Sequence, residues 1–262
     1  MKRILIEVAY DGTSYCGWQI QPNGMTVEEK LNQVLSQFLS EEIKVIGASR
    51  TDSGVHALGN AAVFDTRSGI PPEKICYALN SKLPDDIRIR SSRQVPPDFH
   101  PRFCRSVKTY EYHIQNVRIP IPTERLHTCL VTYPLDVEKM REGARFLVGE
   151  HDFQSFCAAG TSAKTTVRTI LSIEIETLSY HTGGLKTEHG RMDDQKIILR
   201  VKGEGFLYNM VRIIAGTLIK TGLGVYPPDH VRTILEARDR NMAGETAPAK
   251  GLFLKKIEFE NL

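Results

Sequence analysis

The sequence predicts an α+β fold of two βαββαβ halves, each an antiparallel sheet with its helices on one face, and a cleft between the halves. Three observations support this. The same order of strand-like and helix-like segments occurs before residue 97 and again after it. Strand segments such as Leu171, Ile173, Ile175 alternate with a two-residue period, whereas Val27, Leu31, Val34, Leu35, Phe38 and Leu39 recur along one helical face. Between the two series lies Val95-Pro96-Pro97, where proline interrupts both helix and sheet pairing. The halves share this order of elements and no sequence identity.

Residues 3–10, Arg-Ile-Leu-Ile-Glu-Val-Ala-Tyr, form a strand by their β-branched content, and Asp11-Gly12 turns the chain. Thr26 with Glu29 three residues on caps the first helix. Strands are expected near 43–48 and 57–65, then a helix opened by Pro71-Pro72 with Ile75, Ala78, Leu79 and Leu83 inward, then a strand with Ile87 and Ile89. The second half starts with a strand over 103–115, with Tyr110, Tyr112 and Ile114 on one side and Thr109, Glu111 and His113 on the other. A helix capped by Asp136 follows, then strands with Leu171, Ile173, Ile175 and with Ile197, Leu199, Val201. An apolar helix covers 208–220, and a further helix near 228–238 begins at Pro227-Pro228 with Val231, Ile234 and Leu235 inward. The last strand carries Leu252, Leu254, Ile257 and Phe259. Residues 179–194, polar and glycine-bearing, read as an exposed hairpin loop. The order is that of ferredoxin-like and RRM-like units, and it divides the chain into an N-terminal half, 1–97, and a C-terminal half, 98–262.

With 262 residues and 41% hydrophobic content the chain can bury a large core. Lys plus Arg number 34 against 31 Asp plus Glu, and a net charge of +3 does not announce nucleic-acid binding, so any basic surface must be local. The first apolar run is short and broken by Glu7, neither signal peptide nor membrane span, and a cytoplasmic protein is expected. Cys16, Cys76, Cys104, Cys129 and Cys157 include no C-x-x-C pair, and the eight histidines show no metal-ligand spacing. No metal is expected, and no Gly-x-Gly-x-x-Gly opens a helix for a dinucleotide cofactor.

The chemistry concentrates at Gly47-Ala48-Ser49-Arg50-Thr51-Asp52-Ser53-Gly54-Val55-His56-Ala57, a polar connection between two apolar strand runs. It has a cation, a hydroxyl, an imidazole and one carboxylate. A single carboxylate suits covalent or one-base chemistry better than glycoside hydrolysis, which divides its roles between two. The same residue types also make ordinary turns, and Arg50 beside Asp52 also fits a surface ion pair.

The string Arg50-Thr51-Asp52-Ser53-Gly54-Val55-His56-Ala57 resembles the active-site motif of the tRNA pseudouridine synthase A (TruA) family. Tyr10-Asp11-Gly12-Thr13 with Gly17-Trp18-Gln19, Lys108-Thr109-Tyr110-Glu111-Tyr112, and Gly149-Glu150-His151-Asp152-Phe153 resemble that family's other landmarks. So do Gly205-Phe206-Leu207-Tyr208-Asn209-Met210-Val211-Arg212 and Thr246-Ala247-Pro248-Ala249-Lys250-Gly251-Leu252, all in the family's order across nearly the whole chain. The resemblance implies an isomerase that converts uridine to pseudouridine in the anticodon stem-loop of tRNA, at positions 38 to 40, as a homodimer and without a cofactor.

It further implies Asp52 as the catalytic carboxylate, acting as nucleophile or base. Arg212 stands in an otherwise apolar segment, where an arginine must reach water or meet an acid. With the resemblance it becomes the candidate cation that keeps Asp52 ionised. Tyr110 and Tyr112 read as core-facing strand aromatics, while the resemblance implies that Tyr110 stands where the family has its substrate-contacting tyrosine, with Tyr112 as packing support. Arg50 either fills the gap left by the extruded uracil or clamps a phosphate. Lys2, Arg3, Arg88, Arg90, Arg93, Arg102, Arg105 and Lys108 form a basic wall or remain scattered charge, and Trp18 stacks on RNA or plugs the core. Two departures stand out: Thr221-Gly222-Leu223-Gly224 where the family has Val-Gly-x-Gly, and His127 where an aromatic is frequent. The rival readings are a non-catalytic RNA-binding module and a single-carboxylate hydrolase or transferase acting on a small nucleoside.

Overall fold

The computed structural model describes residues 1–161, 163–180 and 194–260. Ten strands and five α-helices among them fall into two compact units, Met1–Lys108 with Phe253–Leu262, and Thr109–Leu252. The class is α+β, as expected. The first unit takes in the segment after Pro97 and the terminal strand. The reason lies in the first unit's core, where Phe99 packs with Leu5, Ala48, Ala61, Val63 and Val95, and Phe259 meets Phe99 edge-on at 5.2 Å. That apolar cluster holds the segment after Pro97 and the terminal strand.

The first unit comprises β1 (Lys2–Tyr10), α1 (Val27–Leu39), β2 (Ile46–Gly47), β3 (His56–Thr66), α2 (Ile75–Asn80) and β4 (Ile87–Val95), and the terminal strand β10 (Leu252–Phe259) returns to it. β1 lies between β3 and β4, antiparallel to both, and β2 pairs antiparallel with β3. β10 joins β3 in parallel, with Phe253 opposite His56. As a central strand β1 is covered on both faces, so Ile4, Ile6 and Val8 are fully buried and Leu5 packs on the opposite side. The cap of α1 is the expected one, Thr26 Oγ1 accepting from Glu29 N at 3.2 Å.

β2 is much shorter than the strand expected over 43–48. Side chains of α1 take its backbone donors first: Ser36 Oγ accepts from Ile43 N at 2.9 Å, and Asn32 Oδ1 accepts from Val45 N at 2.8 Å. With those N–H groups satisfied by the helix, the pairing with β3 is confined to Ile46 and Gly47, extended by Ala48 N donating to Ala61 O at 2.7 Å.

The second unit contains the rest of β5 (Ser106–Asn116), then β6 (Cys129–Val131), α3 (Val137–Arg145), β7 (Gly149–Asp152), β8 (Val167–Ser179), β9 (Gln195–Gly203), α4 (Met210–Gly222) and α5 (His230–Ala237). Its strand order is β5-β9-β8-β7, with β6 parallel to β5. Asp136 caps α3 as expected, and Val231, Ile234 and Leu235 bury one face of α5. Ile197, Leu199 and Val201 of β9 are all fully buried. Leu171, grouped by its alternation with Ile173 and Ile175, is 42% exposed while Ile170 is buried at 1%, because a register shift between Ile170 and Ser172 reverses the alternation there. The expected loop over 179–194 lies outside the described residues except at its ends, where Ser179 pairs with Gln195. No described helix is long and apolar enough to cross a membrane.

Candidate active site

The Asp52 loop is held by the turn that follows β1. Trp18 N donates to Thr51 O at 3.0 Å, Gly54 N to Tyr15 O at 3.4 Å, and Ser53 Oγ to Tyr15 O at 3.2 Å. The loop closes on itself through Val55 N and Asp52 O at 3.1 Å, with Gly54 at φ 76° in the turn position that a side chain disfavours. This close approach explains Gly12 and Gly17 in the Tyr10–Gln19 landmark: a Cβ on Gly12 would lie 2.0 Å from Val55 O, and one on Gly17 2.6 Å from Thr51 O.

Beneath the loop runs a buried polar network. Tyr10 Oη and Thr51 Oγ1 lie 2.7 Å apart, and Asn60 Nδ2 donates to Ser49 O at 3.1 Å and reaches Tyr10 Oη at 3.4 Å. Asn60 is fully buried, and among the described residues its Oδ1 has no hydrogen-bond partner. Because a carbonyl accepts only, the amide nitrogen must be the atom facing Ser49. Trp18 is also fully buried, against Gly47, which settles its two expected roles in favour of core filling. Asp52 itself is half-buried, whereas Arg50 is exposed and, among the described residues, has no hydrogen bond or ion pair.

At the far end of the motif His56 stacks on Phe253, ring centroids 4.7 Å apart. Its Nδ1 lies 3.0 Å from Gly12 N and 3.1 Å from Asp11 Oδ1. One ring nitrogen accepts the first contact only when bare and donates in the second only when it carries the proton, so the two contacts are alternatives set by where the ring proton sits.

In the second unit Tyr110 is buried on β5 and meets Phe206 edge-on at 5.0 Å. Tyr112, on the same face, is fully buried and its hydroxyl donates to Pro248 O at 2.8 Å. Burial is the main cause of a strongly raised pKa for this phenol, so it stays protonated and remains a donor. Arg212 stands in the first turn of α4, where Nε donates to Ala247 O at 2.7 Å and an Nη to Asn209 Oδ1 at 2.8 Å. Ala247 N returns a bond to Arg212 O at 3.2 Å. Tyr112 and Arg212 therefore grip successive carbonyls of the Thr246–Leu252 landmark, and Gly251 is required because a Cβ there would lie 2.7 Å from the Tyr112 ring. Gly205–Tyr208 leads into α4 and does not lie within a strand, unlike an RNA-recognition motif.

Among the described residues, three members of the expected basic wall meet an acid and the others do not. Arg3 pairs with Asp65 at 2.7 Å and Arg88 with Asp85 at 2.6 Å, Lys2 Nζ donates to Ile70 O at 2.5 Å, and Arg105 approaches Glu260 at 3.9 Å. Arg90 and Arg93 are exposed on β4. Arg102 and Lys108 turn toward the chain leading into the Asp52 loop, Arg102 Nε donating to Gly47 O at 2.9 Å and Lys108 Nζ to Ala48 O at 3.4 Å. The sequence reading missed the roles of Tyr10, Thr51 and Asn60. The available signal was Asn60 itself, an amide inside the apolar run Gly59–Phe64.

A family model described as tRNA pseudouridine synthase matches residues 6–104 and 144–260. A protein named tRNA pseudouridine synthase A from Thermoanaerobacter sp. (strain X514) is 44% identical over 257 residues, covering 98% of this chain and 99% of its own. Another of that name from Acetivibrio thermocellus is 42% identical over 259 residues, covering 99% and 100%. A tRNA pseudouridine synthase A 2 from Clostridium perfringens is 43% identical over 257 residues, covering 98% and 99%.

Proposed function

The chain belongs to the tRNA pseudouridine synthase family and is an isomerase, and from that premise we propose that it converts uridines at positions 38 to 40 of the tRNA anticodon stem-loop to pseudouridine, with Asp52 as nucleophile or base. The observation that carries this reading is the pinned loop. Asp52 sits on a connection whose backbone is tied on one side to the turn after β1 and on the other to Asn60, so its carboxylate is presented from a fixed frame.

Isomerisation breaks the C1'–N1 bond, turns the uracil and forms a C1'–C5 bond. C5 loses a proton and N1 gains one, so nothing is oxidised and no group is consumed. A carboxylate serves by adding to the sugar or base, or by removing a ribose proton, and is regenerated either way. Tyr110 stacks on the extruded base or touches it through its hydroxyl, and Arg50 fills the vacated position or clamps a phosphate. Arg212 contributes a guanidinium to the substrate site. The family further supports a cytoplasmic homodimer acting on tRNA, and the β4-β1-β3-β2 order of the first unit supports ferredoxin-like halves.

The test is Asp52→Asn, with pseudouridine counted in tRNA and tRNA affinity measured alongside. Product formation should vanish while binding survives, and an unchanged product yield would remove Asp52 from the chemistry.

A further inference from the structure

Arg102 and Lys108 end on consecutive carbonyls, Gly47 O and Ala48 O, of the segment that enters the Asp52 loop. Each is left with unused donors. Arg102 spends Nε on its carbonyl, and its two terminal nitrogens have no partner among the described residues. Lys108 has a single long bond of 3.4 Å for an ammonium with three protons. Burial lowers the Lys108 pKa, and among the described residues no carboxylate opposes that shift. Three arginines are held differently: Arg3, Arg88 and Arg200 each meet an acid within 3.0 Å.

A half-buried ammonium without a counter-charge is unfavourable, and the penalty is relieved when a ligand supplies the anion. The two carbonyls hold the cations in place without neutralising them. We propose that Lys108 and Arg102 form a binding site for a phosphodiester of the RNA substrate at the entrance to the Asp52 loop. The arginine presents its planar pair of N–H donors and the lysine a point charge, a combination suited to phosphate oxygens. This site rests on the reading of the protein as a tRNA-modifying enzyme and names part of how the RNA is held.

The experiment measures affinity for an anticodon stem-loop RNA across a salt series. It uses the Asp52→Asn background, so that the RNA remains unconverted, and adds Lys108→Gln or Arg102→Gln. Each lost phosphate contact should reduce the slope of log affinity against log salt by about 0.7–0.9, which weakens binding about fivefold at 0.1 M salt. Lys108→Arg should restore the slope. A neutral methylphosphonate placed at the contacted phosphate should abolish the difference between Lys108→Gln and its parent. An unchanged slope in both Gln variants would overturn the site. So would an equal loss in Lys82→Gln, an exposed cation after α2, because that would reveal general charge attraction. Persistence of isomerisation in the Asp52→Asn protein would instead sink the assignment of Asp52 and leave the phosphate measurement standing. Arg102 is exposed, so its variant reports even if Lys108→Gln lowers the melting temperature.

Discussion

Replacing Asn60 with leucine should damage turnover far more than stability. The amide loses its 3.1 Å donation to Ser49 O, about 1 kcal/mol, and a 3.4 Å contact to Tyr10 that contributes little at that length. The substitution also removes a buried Oδ1 that has no partner among the described residues, whose burial costs about 1–3 kcal/mol. Leucine keeps the branching at Cγ and leaves little cavity. The opposing effects nearly cancel, so the melting temperature should move by less than about 4 °C, given about 2–4 °C per kcal/mol for a chain of this size. The loop, however, loses its tie at Ser49, three residues before Asp52. A displacement of about 1 Å in a catalytic group lowers the rate by about 100-fold. The assay compares kcat, KM and melting of Asn60→Leu with the parent, and kcat should fall about 10- to 100-fold with KM changed less than about threefold. Parental kcat would show that the loop holds its position without Asn60. A melting drop above about 10 °C would show instead that the amide's role is in stability.

Arg212→Met should lower turnover by at least about 100-fold, and Arg212→Lys should recover only part, since lysine keeps the charge but not the geometry that serves Ala247 O and Asn209 Oδ1 together. Parental kcat in the Met variant with unchanged melting would remove Arg212 from the reaction. Tyr110→Phe keeps the edge contact with Phe206 and should leave melting unchanged, while slower product formation would assign work to the hydroxyl and a normal rate would leave only stacking. Asp136→Ala should cost about 1 kcal/mol near neutral pH through loss of the α3 cap. The Lys139 N–H holds the Asp136 carboxyl below its ordinary value of 3.8, so the cap's contribution is present above that value and lost as pH falls through the lower folded one. The gap between parent and variant should therefore close in acid, and urea denaturation showing a constant gap from neutral to acidic pH would refute the capping account.

Much of the architecture was legible because its signals are local. Thr26 and Asp136 cap helices that begin where they stand, Val231, Ile234 and Leu235 bury one face of α5, and Ile197, Leu199 and Val201 point inward on β9. The polar string around Asp52 was likewise visible, and its landmarks were enough to indicate the family. Each of these depends on spacing within a few residues, where helix and strand geometry leaves few choices. What the tertiary structure alone decided depends on residues far apart in the chain. β2 shortens because Asn32 and Ser36 of α1 capture its donors, and Leu171 turns outward because β8 shifts register against β9. Tyr10, Thr51 and Asn60, distant in the chain, meet beneath the loop where β1 pairs with β3 and an irregularity between Val8 and Tyr10 puts Ala57 opposite Tyr10. Sequence pattern determines which face of an element is apolar, but the alignment of one strand on another is set by packing and backbone pairing across the whole unit, and only that alignment says which polar atoms come within bonding distance.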